Sequence, residues 1–179
     1  MGDCISDIRK WLEERKLIGV KLGLENCEII LQRLNNPHLN FPSIHVAGTN
    51  GKGSLCVQLS ALARANNLNV GLFTSPHLIT IEERIRINGS PIKSDDFDKF
   101  LNEIRDASLM SPFCNPTFFE VTFLVSMLYL FVFCATSVYC CCYNMKNSPP
   151  SPSIFLAVKL TPLSHLLPPS TPLSIKQST

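Results

Sequence analysis

One short segment limits what this chain can become more than any other: a glycine-rich loop set between an apolar run and a helical pattern. Phe41-Pro42-Ser43-Ile44-His45-Val46-Ala47 has a β-branched centre and leads directly into Gly48-Thr49-Asn50-Gly51-Lys52-Gly53-Ser54. Leu55 to Arg64 then spaces its apolar residues as a helix does, and Asn69-Val70-Gly71-Leu72-Phe73 is a second short strand candidate. Strand, glycine loop, helix, strand is the order of a parallel βαβ unit, so the expected fold class is α/β, with a P-loop-containing parallel sheet.

Such a loop has a definite chemistry. Glycines let successive backbone N–H groups point inward, and the positive end of the following helix, expected to begin near Ser54, adds to the attraction for phosphate. The Lys52 ammonium can reach the outer phosphates, and the Ser54 hydroxyl can hold phosphate or a magnesium ion. The segment departs from the common G-x-x-x-x-G-K-[ST] pattern, because Val46 stands where its first glycine belongs and Gly53 separates Lys52 from Ser54. The competing reading is a plain glycine turn with a solvated lysine; the placement between strand and helix argues against it. Downstream, Thr74-Ser75-Pro76-His77-Leu78 leaves the second strand at its carboxyl end, where ligand-binding loops of open α/β sheets gather.

Around this unit the pattern is helical on both sides. Ile5, Ile8, Trp11 and Leu12 predict an amphipathic helix ending before Gly19, and Cys27, Ile30, Leu31 and Leu34 a second one that Asn35-Asn36-Pro37 stops. Ile79 to Ile92 reads as a strand and hairpin turning at Asn88-Gly89. Ser94 is a candidate cap for a helix whose Phe97, Phe100, Leu101 and Ile104 form a core stripe. Asp95 and Asp96 are a charge pair at its positive end rather than a catalytic dyad, and His38, His45 and His165 take structural or solvent roles.

Composition then shows a break. All 14 acidic residues and 13 of the 16 basic ones lie at or before Glu120, leaving that part at −1 and the rest at +3. The overall formal charge of +2 gives no argument for a nucleic-acid partner. From Ser148 onward there are seven prolines and seven serines, which reads as a disordered tail over 148–179. Residues 132–147 form an apolar Cys-rich extension, and 1–131 the partial domain. The eight cysteines show no zinc or disulfide-scaffold spacing, and no apolar stretch precedes Arg9, so a reducing compartment and no secretory signal are expected. Met-Gly with Ser6 formally matches an N-myristoylation pattern, which Asp3 disfavours. Val121 to Tyr143 is 23 residues without a formal charge, so a membrane-anchored binding protein is an alternative; a non-catalytic nucleotide-binding remnant is another.

Ile44-His45-Val46-Ala47-Gly48-Thr49-Asn50-Gly51-Lys52-Gly53-Ser54, then Phe73-Thr74-Ser75-Pro76-His77-Leu78, then Glu83-Arg84-Ile85-Arg86-Ile87-Asn88-Gly89 resemble the amino-terminal part of the folylpolyglutamate synthase and dihydrofolate synthase family, relatives of the Mur ligases. Lys21-Leu22-Gly23-Leu24-Glu25 and Phe118-Phe119-Glu120-Val121-Thr122 fall in the same order, so the resemblance covers roughly residues 5 to 131. It implies a domain like the Mur ligase central domain, here incomplete, with ATP and Mg2+ as cofactors. The implied reaction passes the γ-phosphoryl group to a carboxylate of folate or dihydropteroate, after which the amine of L-glutamate displaces phosphate. By the same resemblance Gly48, Thr49, Asn50, Gly51, Lys52, Gly53 and Ser54 hold the ATP phosphates, with Lys52 catalytic. Ser75 joins Ser54 as a magnesium ligand, and Gly23 and Leu24 shape the pterin side together with Phe119. Glu120 either faces the substrate or caps the helix that Thr117 begins. A cytoplasmic monomer is expected, with the mitochondrion as the alternative compartment.

The chain also departs from the family. The strand expected after Phe118-Phe119-Glu120-Val121-Thr122 carries a magnesium-binding glutamate, and no acidic residue follows Glu120 here. The sequence from about Val132 looks foreign to the family, as a truncated splice form or a misplaced gene boundary would produce. Such a chain is expected to leave its sheet short of strands and to be inactive alone.

Overall fold

The computed structural model of the chain describes residues 6–159 apart from 20, 22, 49, 134–137 and 145–154. Gly2, Thr49, His165 and, apart from 155–159, the stretch 148–179 therefore lie outside the described residues.

Helix α1 (Asp7–Glu14) buries Ile8 and Leu12 and runs into a tight turn, Arg15–Ile18, that Gly19 ends at φ 74°. Helix α2 (Glu25–Arg33) buries Cys27, Ile30 and Leu31. The predicted βαβ unit follows as β1 (Ser43–Gly48), α3 (Lys52–Ala65) and β2 (Val70–Phe73). Next come β3 (Ile85–Ile87) and β4 (Ser90–Pro91), a hairpin in which Asn88 and Gly89 both take positive φ, as a tight two-residue turn requires. The first half of the stretch expected as strand is instead a 3-10 turn, Ile81–Arg84. The reason is local: Thr80 and Glu83 form a reciprocal capping box, which nucleates a turn where Glu82-Glu83 breaks the alternation.

Helices α4 (Ser94–Leu109) and α5 (Phe118–Phe133) complete the helical side. The expected stripe Phe97, Phe100, Leu101 and Ile104 is buried. Ser94 does not cap α4, however. Its hydroxyl donates to Glu82 at 2.8 Å, because Glu82 is drawn there by Arg9 of α1, whose guanidinium also pairs with Asp98 and lies over the Phe97 ring.

Strands β5 (Val138–Asn144) and β6 (Phe155–Lys159) join the sheet, which runs β4-β3-β2-β5-β1-β6. β5 lies parallel between β1 and β2, and β6 is antiparallel along the outer edge of β1. These two strands fall within the stretches read as an apolar extension and a tail. The crossover through α3 leaves a gap one strand wide between β1 and β2, and the β-prone run at 138–144 occupies it. Phe155–Lys159 is free of proline between proline clusters and sits at an edge, the position such a neighbourhood tolerates.

The two faces of the sheet are covered unequally. Toward α3, Val46, Cys56 and Leu72 form a small cluster. On the opposite face Phe73, Ile85, Phe97, Leu101, Ile104, Val121 and Leu124 belong to the main core, each such side chain contributing about 1.5–3 kcal/mol by burial. Helix α5 is buried along most of its length, which explains why it carries no polar face. It approaches β2 so closely that a Cβ on Gly71 would run into Leu130. The uncharged run 121–143 is thus divided between a core helix and a strand, and among the described residues no helix is long and apolar enough to cross a membrane.

Candidate functional site

The carboxyl ends of the parallel strands gather the candidate residues. β1 ends on Gly48, and Gly51 takes the left-handed conformation at φ 75° that lets the chain turn straight into α3. The helix begins at Lys52, two residues earlier than the loop pattern suggests, so Lys52, Gly53 and Ser54 form its first turn. Among the described residues no side chain caps this end, and a Cβ placed on Gly51 or Gly53 would meet nothing within 4 Å. Lys52 is half-buried there and Ser54 exposed. The result is an open, uncapped helix start carrying an ammonium and a hydroxyl, an arrangement that suits an anion.

Ser75 lies on the same rim of the sheet. Phe73 stands level with His45 across β5, so two residues further on Ser75 leaves the sheet at about the level where β1 passes into the glycine loop. One intervening strand separates them, about 10 Å between the axes of β1 and β2. Ser54 and Ser75 are hard, neutral oxygen donors of the kind magnesium accepts when phosphates supply the charge. β5 ends on Asn144, paired with Gly48, so the adjacent strand brings no carboxylate to the loop. Among the described residues no group of three or more His, Cys, Asp or Glu side chains could hold a metal by itself.

The loop carrying Ser75 is fastened from below. The Thr74 N–H donates to the Arg84 carbonyl at 2.9 Å, and Arg84 Nε donates to His77 Nδ1 at 2.7 Å. The Glu83 carboxylate accepts from the N–H groups of Leu78, Ile79 and Thr80. Those bonds, the one from Thr80 foremost, hold the Glu83 carboxyl below its ordinary range. Partial burial and then the neighbouring Arg84 and Lys16 cations push His77 down, against Glu83 and Glu13, so the ring is a ready acceptor for Arg84. Arg84 and Lys16 both lie over the ring of Phe118, at 5.3 and 5.0 Å, which ties this loop to the start of α5.

The residues expected at the acceptor substrate divide. Gly23, at φ +106°, and Leu24, 65% exposed, precede α2 at the surface. Phe119 packs its ring against Phe73 at the end of β2, 5.9 Å between centroids, and so is partly core. Glu120 is only 8% exposed and closes a capping box: its carboxylate accepts the Thr117 N–H at 2.7 Å while its own N–H donates to the Thr117 hydroxyl at 3.2 Å. Asn26 donates to the same carboxylate, and burial together with that charge pushes the Cys27 thiol up to about 12. Of the two roles the sequence left open for Glu120, the structure shows the cap; the carboxylate is directed at α2 rather than at the sheet rim. Gly23 and Leu24 nonetheless come to the neighbourhood of α5 through Asn26. Sequence reading missed Arg84, His77, Lys16 and Phe118 as a group, since a buried arginine inside an alternating Arg-Ile-Arg-Ile run looks like a strand residue.

Glycine loop, parallel strands and a second loop on the same rim define an α/β unit with the Mur ligase-like fold. No family model matches the chain. A dihydrofolate synthase/folylpolyglutamate synthase of Bacillus subtilis is 35% identical over 132 residues, 72% of this chain and 31% of that protein. The mitochondrial folylpolyglutamate synthase of Homo sapiens is 39% identical over 112 residues, 59% of this chain and 18% of its own length. Among solved structures, E. coli FolC in complex with DHPP and ADP superposes with a TM-score of 0.64 at 25% identity, covering 82% of this chain and 35% of that one. Mycobacterium tuberculosis folylpolyglutamate synthase, complexed with ADP and AMPPCP, gives 0.63 at 28%, covering 75% and 32%. Over most of its length the chain belongs to the folylpolyglutamate synthase and dihydrofolate synthase family, and it spans about a third or less of the length of these relatives.

Proposed function

We propose that the chain carries the ATP-holding part of a ligase that joins L-glutamate to a carboxylate of a folate or of dihydropteroate through an acyl phosphate. The observation that carries this reading is the seat of the glycine loop, which leaves a parallel strand, turns at left-handed Gly51 and sets Lys52 and Ser54 on the first turn of α3. In this reading the amides of Gly48 to Ser54 cradle the phosphates, and Lys52 offsets the charge that moves with the γ-phosphoryl group. A carboxylate is a poor acyl donor until one oxygen becomes a good leaving group, and phosphorylation by ATP supplies that group. Ser54 and Ser75 would hold magnesium, which when bound neutralises phosphate charge. Gly23, Leu24 and Phe119 would border the acceptor substrate, whereas Glu120 serves by fixing the start of α5 beside them. Relatives are described in complex with ADP, and one with Mn, AMPPNP and L-glutamate, which supports the nucleotide and metal assignment.

Because β5 brings no carboxylate to Gly48, the chain by itself is expected to bind nucleotide without completing ligation. Calorimetric titration of the 179-residue chain with MgATP, and with Lys52→Ala, tests the first half; the expected loss in the variant is about tenfold or more. No nucleotide affinity in either protein would overturn the reading. ADP release that depends on both a pterin acceptor and glutamate would instead show that the chain suffices for catalysis.

A further inference from the structure

Ser75 and Pro76 are bracketed by one residue. Arg84 accepts the N–H of Thr74 with its carbonyl, at 2.9 Å, and donates from Nε to His77, at 2.7 Å, so the two residues between Thr74 and His77 are strung between two bonds to the same side chain and backbone. Arg84 is itself immobilised. It is 8% exposed, its guanidinium lies over Phe118 of α5, and it opens into β3, which pairs with β2. On the far side of His77 the Glu83 carboxylate gathers three consecutive N–H groups, so the loop is held again immediately after the bracket.

We propose that Arg84 and His77 are positioning residues that aim the Ser75 hydroxyl at a divalent cation carried on the nucleotide phosphates. The proposal rests on Ser75 being a metal ligand, as argued above. A hydroxyl is a weak neutral ligand whose contribution depends on being held in place before the ion arrives. Partners that orient a metal ligand are commonly worth about 10–100-fold in metal affinity. The bracket also connects Ser75 to the start of α5 through Phe118, so the metal loop and the acceptor side are set by one arginine.

The test uses the 179-residue chain with Mn2+ and AMPPNP, following free Mn2+ by electron paramagnetic resonance and nucleotide affinity without metal by calorimetry. His77→Phe removes the acceptor and should weaken Mn2+ binding to the protein–AMPPNP complex by about tenfold while the metal-free nucleotide affinity stays within about twofold. His77→Asn, which returns an acceptor oxygen near the position of Nδ1, should recover most of the loss. Arg84→Met should behave as His77→Phe does; if it fails to fold, the His77 pair decides. Weakening by Ser75→Ala with none by His77→Phe would overturn the bracket and leave the metal reading standing. So would a His77→Phe loss that extends equally to metal-free nucleotide, or one that Asn does not restore. No effect of Ser75→Ala would remove Ser75 from the metal site and the present proposal with it.

Discussion

Removing the Glu120 carboxylate separates a capping role from a substrate role. In Glu120→Ala the Thr117 N–H loses its 2.7 Å acceptor and Asn26 keeps only the Asn115 carbonyl, at 3.1 Å, while the helix loses the negative charge at its positive end. A stranded buried N–H costs about 1–3 kcal/mol and the loss of negative charge at the helix's positive end up to about 1 kcal/mol, while the Thr117 hydroxyl keeps its bond to the residue 120 N–H, so destabilisation on the order of 3 kcal/mol is expected. For a chain of this size that corresponds to a Tm lower by about 6–12 °C. Glu120→Gln keeps an oxygen for Thr117 and gives up only the charge, so its loss should be about 1 kcal/mol. Urea melts of the two variants followed by circular dichroism measure the difference. The reasoning is refuted if Ala melts like the wild type, or if Gln and Ala are equally destabilised.

Three further outcomes follow from the packing. Gly71→Ala drives a methyl group into Leu130 and should cost about 1–3 kcal/mol in the wild type but much less when introduced into a Leu130→Ala background, itself destabilised by the lost core side chain; a neutral substitution in the wild type would contradict the close approach. Burial alone would raise Glu82, but hydrogen bonds from its own backbone, Ser94 and Arg9 outweigh it and hold the carboxyl below its ordinary range. That stability is present above the unfolded value and lost as pH falls through the lower folded one, so the gap between wild type and Arg9→Met in urea should close toward low pH; a pH-independent gap would refute it. Cys27, pushed up to about 12 by burial and then by Glu120, should resist iodoacetamide at pH 8 in the folded chain and react only on unfolding, as mass mapping would show.

Much of the architecture was legible because local chemistry and global fold agree at the βαβ unit. The strand, the left-handed glycine and the helix of 43–65 follow from residue types alone, as does the Asn88-Gly89 hairpin. What was not legible depends on partners distant in sequence. Ser94 has the right chemistry for a cap, and only the arrival of Arg9 and Glu82 redirects its hydroxyl. The strands at 138–144 and 155–159 were hidden because no family motif marks them and because prolines flank the second; their places are set by a gap and an edge in the sheet. Arg84 and His77 were invisible as a pair, since seven residues separate them and only the fold of the intervening loop brings Nε to Nδ1.

Backbone amide shifts of the isotope-labelled chain during titration with ADP, in the absence and then the presence of magnesium, measure the nucleotide grip itself. The account predicts that Gly51, Lys52, Gly53 and Ser54 move first and saturably, with Ser75 and His77 moving only when the metal is present. Shifts confined to other surfaces, or none at all at millimolar nucleotide, would contradict it.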